Sequence, residues 1–296
     1  MALIQDYNKL YEQSSDIKKI IVNGNIVWPV ADPLSPDYSG PFYVENITDT
    51  DSRLVWQQVD GGLERIHVYK STNKTSWQDA GTTETDNYIT IPARQRVYLR
   101  ADTTRWATPD ASCRTKQYGS NGCFKVGGNI LSLLYGSLFN GQKVLRQQNG
   151  HDFRAFFAHN ANIVDASELL LSDDAYDSSY LAMFHNCINL TNAPKRIGLS
   201  LGISCFENMF WGCTSLTTSP VLPASTLVSG CYWTMFNGCT SLNEIRCYAT
   251  SGFNSYQCLA NWTNNVSATG TFYKIKGITW PTSTSGIPSG WTIVEV

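Results

Sequence analysis

Little of this sequence is charged, and none of it is apolar over a long run. Lys, Arg, Asp and Glu make up 16% of the 296 residues and nearly cancel, leaving a net charge of −2; about 25% charged is usual for a soluble chain. A chain this close to neutral has no basic field with which to hold nucleic-acid phosphates or an anionic membrane surface. No apolar run approaches the ~18 residues that cross a bilayer. No Cys-x-x-Cys pair occurs, and His67, His151, His159 and His185 do not stand at zinc-ligand spacings beside cysteines, so neither a metal nor another cofactor is expected. A secretory signal is missing too. Asp6, Asn8, Lys9, Glu12 and Asp16 interrupt the apolar stretch that such a signal needs, so the expectation is folding in a reducing cytoplasm, or a signal already lost.

Motifs for catalysis are equally scarce. Gly198-Leu-Ser-Leu-Gly202 is not followed by Lys-Ser or Lys-Thr, so it is no phosphate loop, and no Gly-x-Ser-x-Gly elbow occurs. Asp173-Asp174 and the Asp49/Asp51 pair have the residue types of glycoside chemistry, but acids so placed on polar loops read as solvated turn residues. His159 and His185 stand near equivalent repeat positions but one column apart, which gives no shared metal or catalytic role. The sequons at Asn46 and Asn261 matter only in a secretory pathway. The chain reads as a non-enzyme.

What the chain does have is aromatic rings, nine cysteines and a repeat. Met209-Phe-Trp-Gly-Cys-Thr-Ser-Leu216 recurs as Met235-Phe-Asn-Gly-Cys-Thr-Ser-Leu242, with an earlier copy from Met183 to Leu190 and a worn one from Phe156 to Ile163. The period is 26 residues, with one step of 27. Alignment gives the columns Phe157/Phe184/Phe210/Phe236, Phe156/Met183/Met209/Met235 continued by Trp262, Asn160/Cys187/Cys213/Cys239, Ile163/Leu190/Leu216/Leu242 and Phe153/Tyr180/Phe206/Tyr232. Cys205, Cys231 and Cys258 run beside the last.

Units this short bury an apolar side only by stacking on one another, which is the logic of a solenoid, and a period of 20–29 residues is that of leucine-rich repeats. Cys205, Phe206, Met209 and Phe210 suggest one face of a short helix over 205–211, ended near Gly212 and Gly238. Strands are expected around Leu216–Thr218 and Leu242–Ile245, with Pro220 and Pro223 shaping the return. A continuous cysteine column has no reason to pair in twos, so six of the nine cysteines are expected as buried thiols. Cys113 and Cys123 lie outside the columns and are expected to be reduced as well.

Upstream, Leu3–Tyr11 looks helical. Ile20-Ile21-Val22 and Ile26-Val27-Trp28 flank Asn23-Gly24-Asn25, a strong hairpin signal, and Pro29, Pro33 and Pro36 mark a linker. Strands are expected at Phe42–Ile47, Leu54–Val59, Arg65–Ser71, Asn87–Ile91 and Arg96–Ala101, with a turn at Gly61-Gly62. Such regular spacing suggests a small immunoglobulin-like sandwich. Gly127–Gly136 reads as an apolar cap opening the solenoid. The fold class is therefore mixed and mainly β: attachment segment and linker (1–35), β-sandwich (36–110), connector and cap (111–150), and a leucine-rich-repeat-like solenoid with a C-terminal cap (151–296).

The Met-Phe-x-Gly-Cys-Thr-Ser-Leu units, with Leu222-Pro-Ala-Ser-Thr-Leu227 between them, resemble BspA-type leucine-rich repeat proteins. Asn261–Lys274, Gly286–Thr292, Trp77-Gln, Ile91-Pro-Ala, Val97–Arg100 and the Gly127–Gly136 segment extend the resemblance over residues 40–296. It implies adhesion at the surface of gut bacteria or in the virions of their phages, and carries no catalytic motif. The first 30 residues resemble attachment segments of phage structural proteins, which implies Ile21, Val22, Asn23, Gly24, Val27 and Trp28 as attachment residues. The resulting expectation is a phage virion protein, fibre-like or decorating, folded in the host cytoplasm. It would dock on other virion proteins through its N-terminus and bind a host-surface glycan or protein through its repeats. A homo-oligomer is expected, a trimer by analogy with fibres. A bacterial cell-surface adhesin is the alternative, and a glycan-active enzyme a more distant one. Residues that vary on a fixed frame suit a recognition face: His185, Trp211 and Asn237 after the core Phe, and Glu207 and Trp233 two places after the column cysteines. The competing reading packs Trp211 and Trp233 on a neighbouring coil or domain.

Overall fold

The computed structural model describes residues 20–22, 25–28, 36–59, 65–101, 103, 106–107, 112–117, 119, 123–146 and 150–296. The protein is mainly β, with several sheets and, among the described residues, a single short α-helix. Two compact units divide the chain, Met1–Pro36 with Val296, and Asp37–Glu295. In the first, β1 (Ile20–Val22) and β2 (Asn25–Trp28) pair antiparallel through Val22↔Asn25 and Ile21↔Ile26, with a register shift before Ile20↔Trp28. Ile21, Val22, Val27 and Trp28 thus stand on the expected hairpin. Asn23, Gly24, the helix-like start at 3–11, the prolines at 29 and 33, and the Gly61-Gly62 turn lie outside the described residues.

The second unit opens with two sheets. One runs β11 (Ile163–Leu170), β10 (Phe124–Asn129), β3 (Tyr43–Asn46), β8 (Arg96–Ala101), β5 (His67–Ser71), β6 (Gln78–Thr82); the other runs β7 (Tyr88–Ile91), β4 (Ser52–Val59), β9 (Ser112–Lys116). Alternation explains the burial. Val97, Leu99 and Ala101 point into the core while Arg96, Tyr98 and Arg100 point out. The five expected strands are present, and β6, β9 and β10 are additional.

The expected cap contains a strand and the short helix α1 (Ser132–Tyr135). β10 bridges two regions: it pairs antiparallel with β3 and parallel with β11, the first strand of the repeat. Gly127 permits this. It lies between Tyr43 and Glu168 in register, and a Cβ there would collide with the Tyr43 hydroxyl, which reaches across to bond Glu168. One buried core therefore runs from Phe42 to Trp291.

In the repeat, the segments expected as short helices are a ribbon of turns. At 205, 207, 209, 211 and 213 the N–H bonds the carbonyl three residues back, not four as in an α-helix. At 204, 206, 208, 210 and 212 the N–H instead reaches the next copy, as in Phe206 to Cys231 (3.1 Å) and Phe210 to Met235 (2.9 Å). Every fourth residue takes a left-handed φ: Ser204, Asn208 and Gly212 in one copy, Ser178, Ala182 and Asn186 in the copy before. This accounts for Gly212 and Gly238 without a helix end. The same five rungs recur at each of four interfaces, from His151/Asp177 to Gly238/Asn264.

β12 (Asp174–Ala175) and β13 (Ser200–Leu201) pair in parallel, and on the opposite side β14 (Thr218–Leu222), β15 (Glu244–Cys247), β16 (Thr271–Lys274) and β17 (Thr292–Glu295) form a parallel sheet. β14 and β15 begin about two residues later than expected, and Pro220 lies within β14. As an edge strand with an irregular register, β14 tolerates a missing donor.

Stacking brings like residues together. Phe157, Phe184, Phe210 and Phe236 follow one another at ring-centroid distances of 5.1, 5.5 and 5.7 Å. Phe153, Tyr180, Phe206 and Tyr232 form a second pile at 5.9, 5.6 and 6.2 Å. Trp262 closes both piles, 6.1 Å from Tyr232 and 5.9 Å from Phe236. At the other end Phe42 and Trp106 meet Phe156.

All nine cysteines are buried and free. The Cys187, Cys213 and Cys239 thiols each donate to the carbonyl of the core Phe one copy earlier, at 2.9–3.0 Å. A cysteine column thus supplies a small apolar group that also occupies a carbonyl lone pair.

Tyr232 is fully buried, and among the described residues its hydroxyl has no hydrogen-bond partner. Its neighbour Phe206 does the same packing without a hydroxyl. Tyr232→Phe is expected to keep or raise thermal stability, because an unpaired buried polar group costs about 1–3 kcal/mol. A clear fall in the melting midpoint would contradict this.

Candidate recognition ladder

The turn ribbon fixes what each copy presents outward. Within it, Phe206 and Phe210 point in, and the residue after each lies on the other side. Stacking then lines up Arg154, Leu181, Glu207, Trp233 and Ala260 as one column, and Ala158, His185, Trp211, Asn237 and Asn264 as another, each tied to its neighbours by the backbone rungs. His185 and Trp211 stack at 4.8 Å with planes 17° apart. Asn264 donates to the Asn237 side-chain oxygen at 3.3 Å. His185, Trp211 and Asn237 therefore belong to one ladder.

His159 joins the same ladder. Its ring lies 5.0 Å from that of His185, although the two are one column apart in the alignment. Because a ring extends several ångströms from its Cα, a one-place offset does not separate adjacent copies. Arg114 on β9 adds a cation whose field reaches both imidazoles. It lies far from the repeat in sequence, and no spacing signal links it to them.

Trp211 is both packed on His185 and 40% exposed, so neither reading of it is complete alone. Trp233 and Glu207 are half-buried. Burial pushes the Glu207 carboxyl up from its ordinary value, opposed by a hydrogen bond with Ser204 and by Arg154. Exposed Ile203 and Tyr256 lie near the ribbon and have no counterpart among the expected residues.

Asp173 is not a solvated turn residue. The Arg196 guanidinium donates to it at 2.5 Å, and so does the Tyr38 hydroxyl at 2.8 Å, with the Arg196 and Asp173 side chains only 6% and 18% exposed. Asp174 accepts from Ser200 at 2.6 Å. Among the described residues no cluster of His, Cys, Asp and Glu could hold a metal ion, and no helix is long and apolar enough to cross a membrane.

The ladder carries a pH signature. Burial, with the positive fields of His159 and Arg114, pushes the His185 imidazole down to about 4, and His159 is lowered by burial and Arg114. Above about 6.5 both rings are neutral folded or unfolded. As pH falls from there toward 4, the unfolded chain takes up protons that the folded one refuses, so stability declines through that window. Melting curves across it are expected to flatten in His185→Gln; an unchanged slope would contradict the assignment.

Comparison with protein-family models, with curated proteins and with solved structures finds no match to this chain.

Proposed function

We propose that this is a non-enzymatic phage virion protein, fibre-like or decorating, whose leucine-rich-repeat-like solenoid and immunoglobulin-like sandwich display a recognition face to a host surface. The observation that carries the reading is the ladder His159–His185–Trp211–Asn237, a partly exposed ring stack on a frame cross-tied by backbone hydrogen bonds. Half-exposed aromatic rings held rigidly supply contact area at little entropic cost. Contacts of this size are individually weak, and several copies on one particle would strengthen them. The β1–β2 hairpin is the proposed attachment element toward other virion proteins.

Nine free, buried thiols favour folding in a reducing compartment, which suits a virion protein made in the cytoplasm better than the alternative, an exported bacterial adhesin. Mass spectrometry of purified virions tests the reading: the chain is expected among the structural proteins, and its absence from particles overturns it. Trp211→Ala is expected to weaken attachment of the protein to host cells without shifting its melting midpoint by more than a few degrees. Undiminished attachment would remove the ladder from the reading.

A further inference from the structure

Away from the ladder, on the outward face of the six-stranded sheet, two cations form no ion pair among the described residues. Arg100 on β8 lies directly opposite Tyr69 on β5, and Tyr98 lies opposite both Ser71 and Tyr43. The Arg100 guanidinium carbon sits 4.2 Å above the Trp77 ring and 5.8 Å from that of Tyr69. Lys74 lies 4.9 Å over the Tyr98 ring, which meets Tyr43 edge-on at 5.9 Å.

The loop between β5 and β6 makes this arrangement. Ser71 Oγ accepts the N–H of Asn73 and of Lys74, Asn73 accepts those of Thr75 and Ser76, and Trp77 Nε1 donates to the Lys74 carbonyl at 3.1 Å. The loop thereby folds Lys74 and Trp77 back over the sheet.

Among the described residues, Lys74 and Arg100 form no ion pair, while the neighbouring Arg96 is held by Glu45 at 2.6 Å. Asp79, opposite Tyr69, is engaged by His67 and by the Gly81 N–H. Among the described residues the buried Arg100 Nε meets no acceptor, and burial lowers the Arg100 pKa, opposed by the nearby Tyr69. Asp37, fully exposed, is the acid that feels Lys74, and it makes no ion pair with it.

We propose that Arg100 and Lys74, set among Trp77, Tyr69 and Tyr98, bind the carboxylate of an acidic saccharide. Cation–π contacts use the faces of a guanidinium and leave its N–H edge for a planar carboxylate. The aromatic rings offer apolar faces to the C–H side of a sugar ring, and the hydroxyl of Tyr69 makes no hydrogen bond within the described protein. A hydroxylated ring bearing one carboxylate matches all three elements. This site goes beyond the ladder and does not depend on it.

Calorimetry with tetragalacturonic acid and with sialyllactose tests the site, the methyl-esterified tetragalacturonide serving as the uncharged control. At least one acidic probe is expected to bind, with affinity falling about tenfold on esterification and again as sodium chloride rises from about 50 to about 500 mM. Arg100→Gln and the exposed-loop change Lys74→Gln are each expected to weaken binding about tenfold, whereas Trp211→Ala leaves it unchanged. The Lys74 variant keeps the test informative if Arg100→Gln fails to fold. Absence of binding by both acidic probes overturns the proposal, as does equal binding of the esterified control. Binding lost with Trp211→Ala but kept with Lys74→Gln would move the ligand to the ladder and end the sheet site.

Discussion

Arg196→Ala is expected to destabilise the folded protein by about 3–5 kcal/mol, the cost of leaving a buried charge without its partner. The guanidinium bonds Asp173 at 2.5 Å and the Tyr38 hydroxyl at 2.9 Å, while that hydroxyl itself donates to Asp173. Three distant stretches meet there: the start of the compact unit, the end of the first copy and the return of the second. Removing the guanidinium strands the Asp173 carboxylate in a site that water reaches poorly. Chemical denaturation would show the loss as a lower midpoint. The paired change Arg196→Met with Asp173→Leu is expected to recover much of it, since apolar residues of similar volume often replace a buried pair at little cost. A single-variant loss below about 1 kcal/mol, the level of an exposed pair, would show that the triad contributes little.

The second large effect is expected at Gly252. Its φ is +82°, in the region open mainly to glycine, and an added Cβ would collide with the Leu227 carbonyl oxygen and lie 2.7 Å from the Leu227 nitrogen. Both obstacles are backbone, so no side chain can swing aside. The same carbonyl accepts the Ser255 hydroxyl at 3.1 Å, and the Leu227 N–H bonds Ser251 at 3.0 Å. Gly252→Ala therefore has to push neighbouring copies away from each other, and about 3 kcal/mol or more of stability is expected to go. Gly277 is the internal control: it has a similar φ of +77° but nothing near its missing Cβ. Alanine there carries only the backbone strain of a left-handed φ, about 1–2 kcal/mol. Equal losses at the two glycines would show that close approach is not what matters at Gly252.

The repeat is legible because stacking demands like against like. The Phe, Met and Cys columns, read from spacing alone, are the piles that fill the core. The ribbon between them departs from the expected helix for a physical reason. Cys205, Phe206, Met209 and Phe210 fit one face of a helix over two turns, but Cys213 continues the series at a strict period of four. A helix advances by 3.6 and drifts away from that register, so the sequence carries the ribbon's period, and only its exact value separates ribbon from helix.

Pairing across long separations is not legible. Gly127-Gly128 looks like a cap because nothing local shows that Tyr43 must pass over Gly127 to reach Glu168. Asp173 looks solvated in sequence because its partners, Tyr38 and Arg196, are 135 and 23 residues away. Of the candidate site, the sequence shows the varying column, while the stacking of His159 on His185 depends on ring reach, and Arg114 arrives from another sheet.

The ribbon's rungs between copies all point one way. In each, an N–H of the earlier copy meets a carbonyl of the later one, from Phe157/Met183 through Phe184/Met209 and Phe210/Met235 to Phe236/Trp262. Aligned peptide dipoles add, as they do along a helix, so the ribbon is electrically polar, its carbonyls at the first copy and its N–H groups at the last having no further copy to meet. The ends are answered differently. Backbone donors at Trp106 and Thr115 meet the carbonyls of Asp152 and Phe156, while the Thr284 carbonyl and the Ser285 hydroxyl accept from Thr263 and Asn261. A duplicated 26-residue unit spliced between copies would lengthen the array without altering either terminus, whereas exchanging the two caps would set donor against donor.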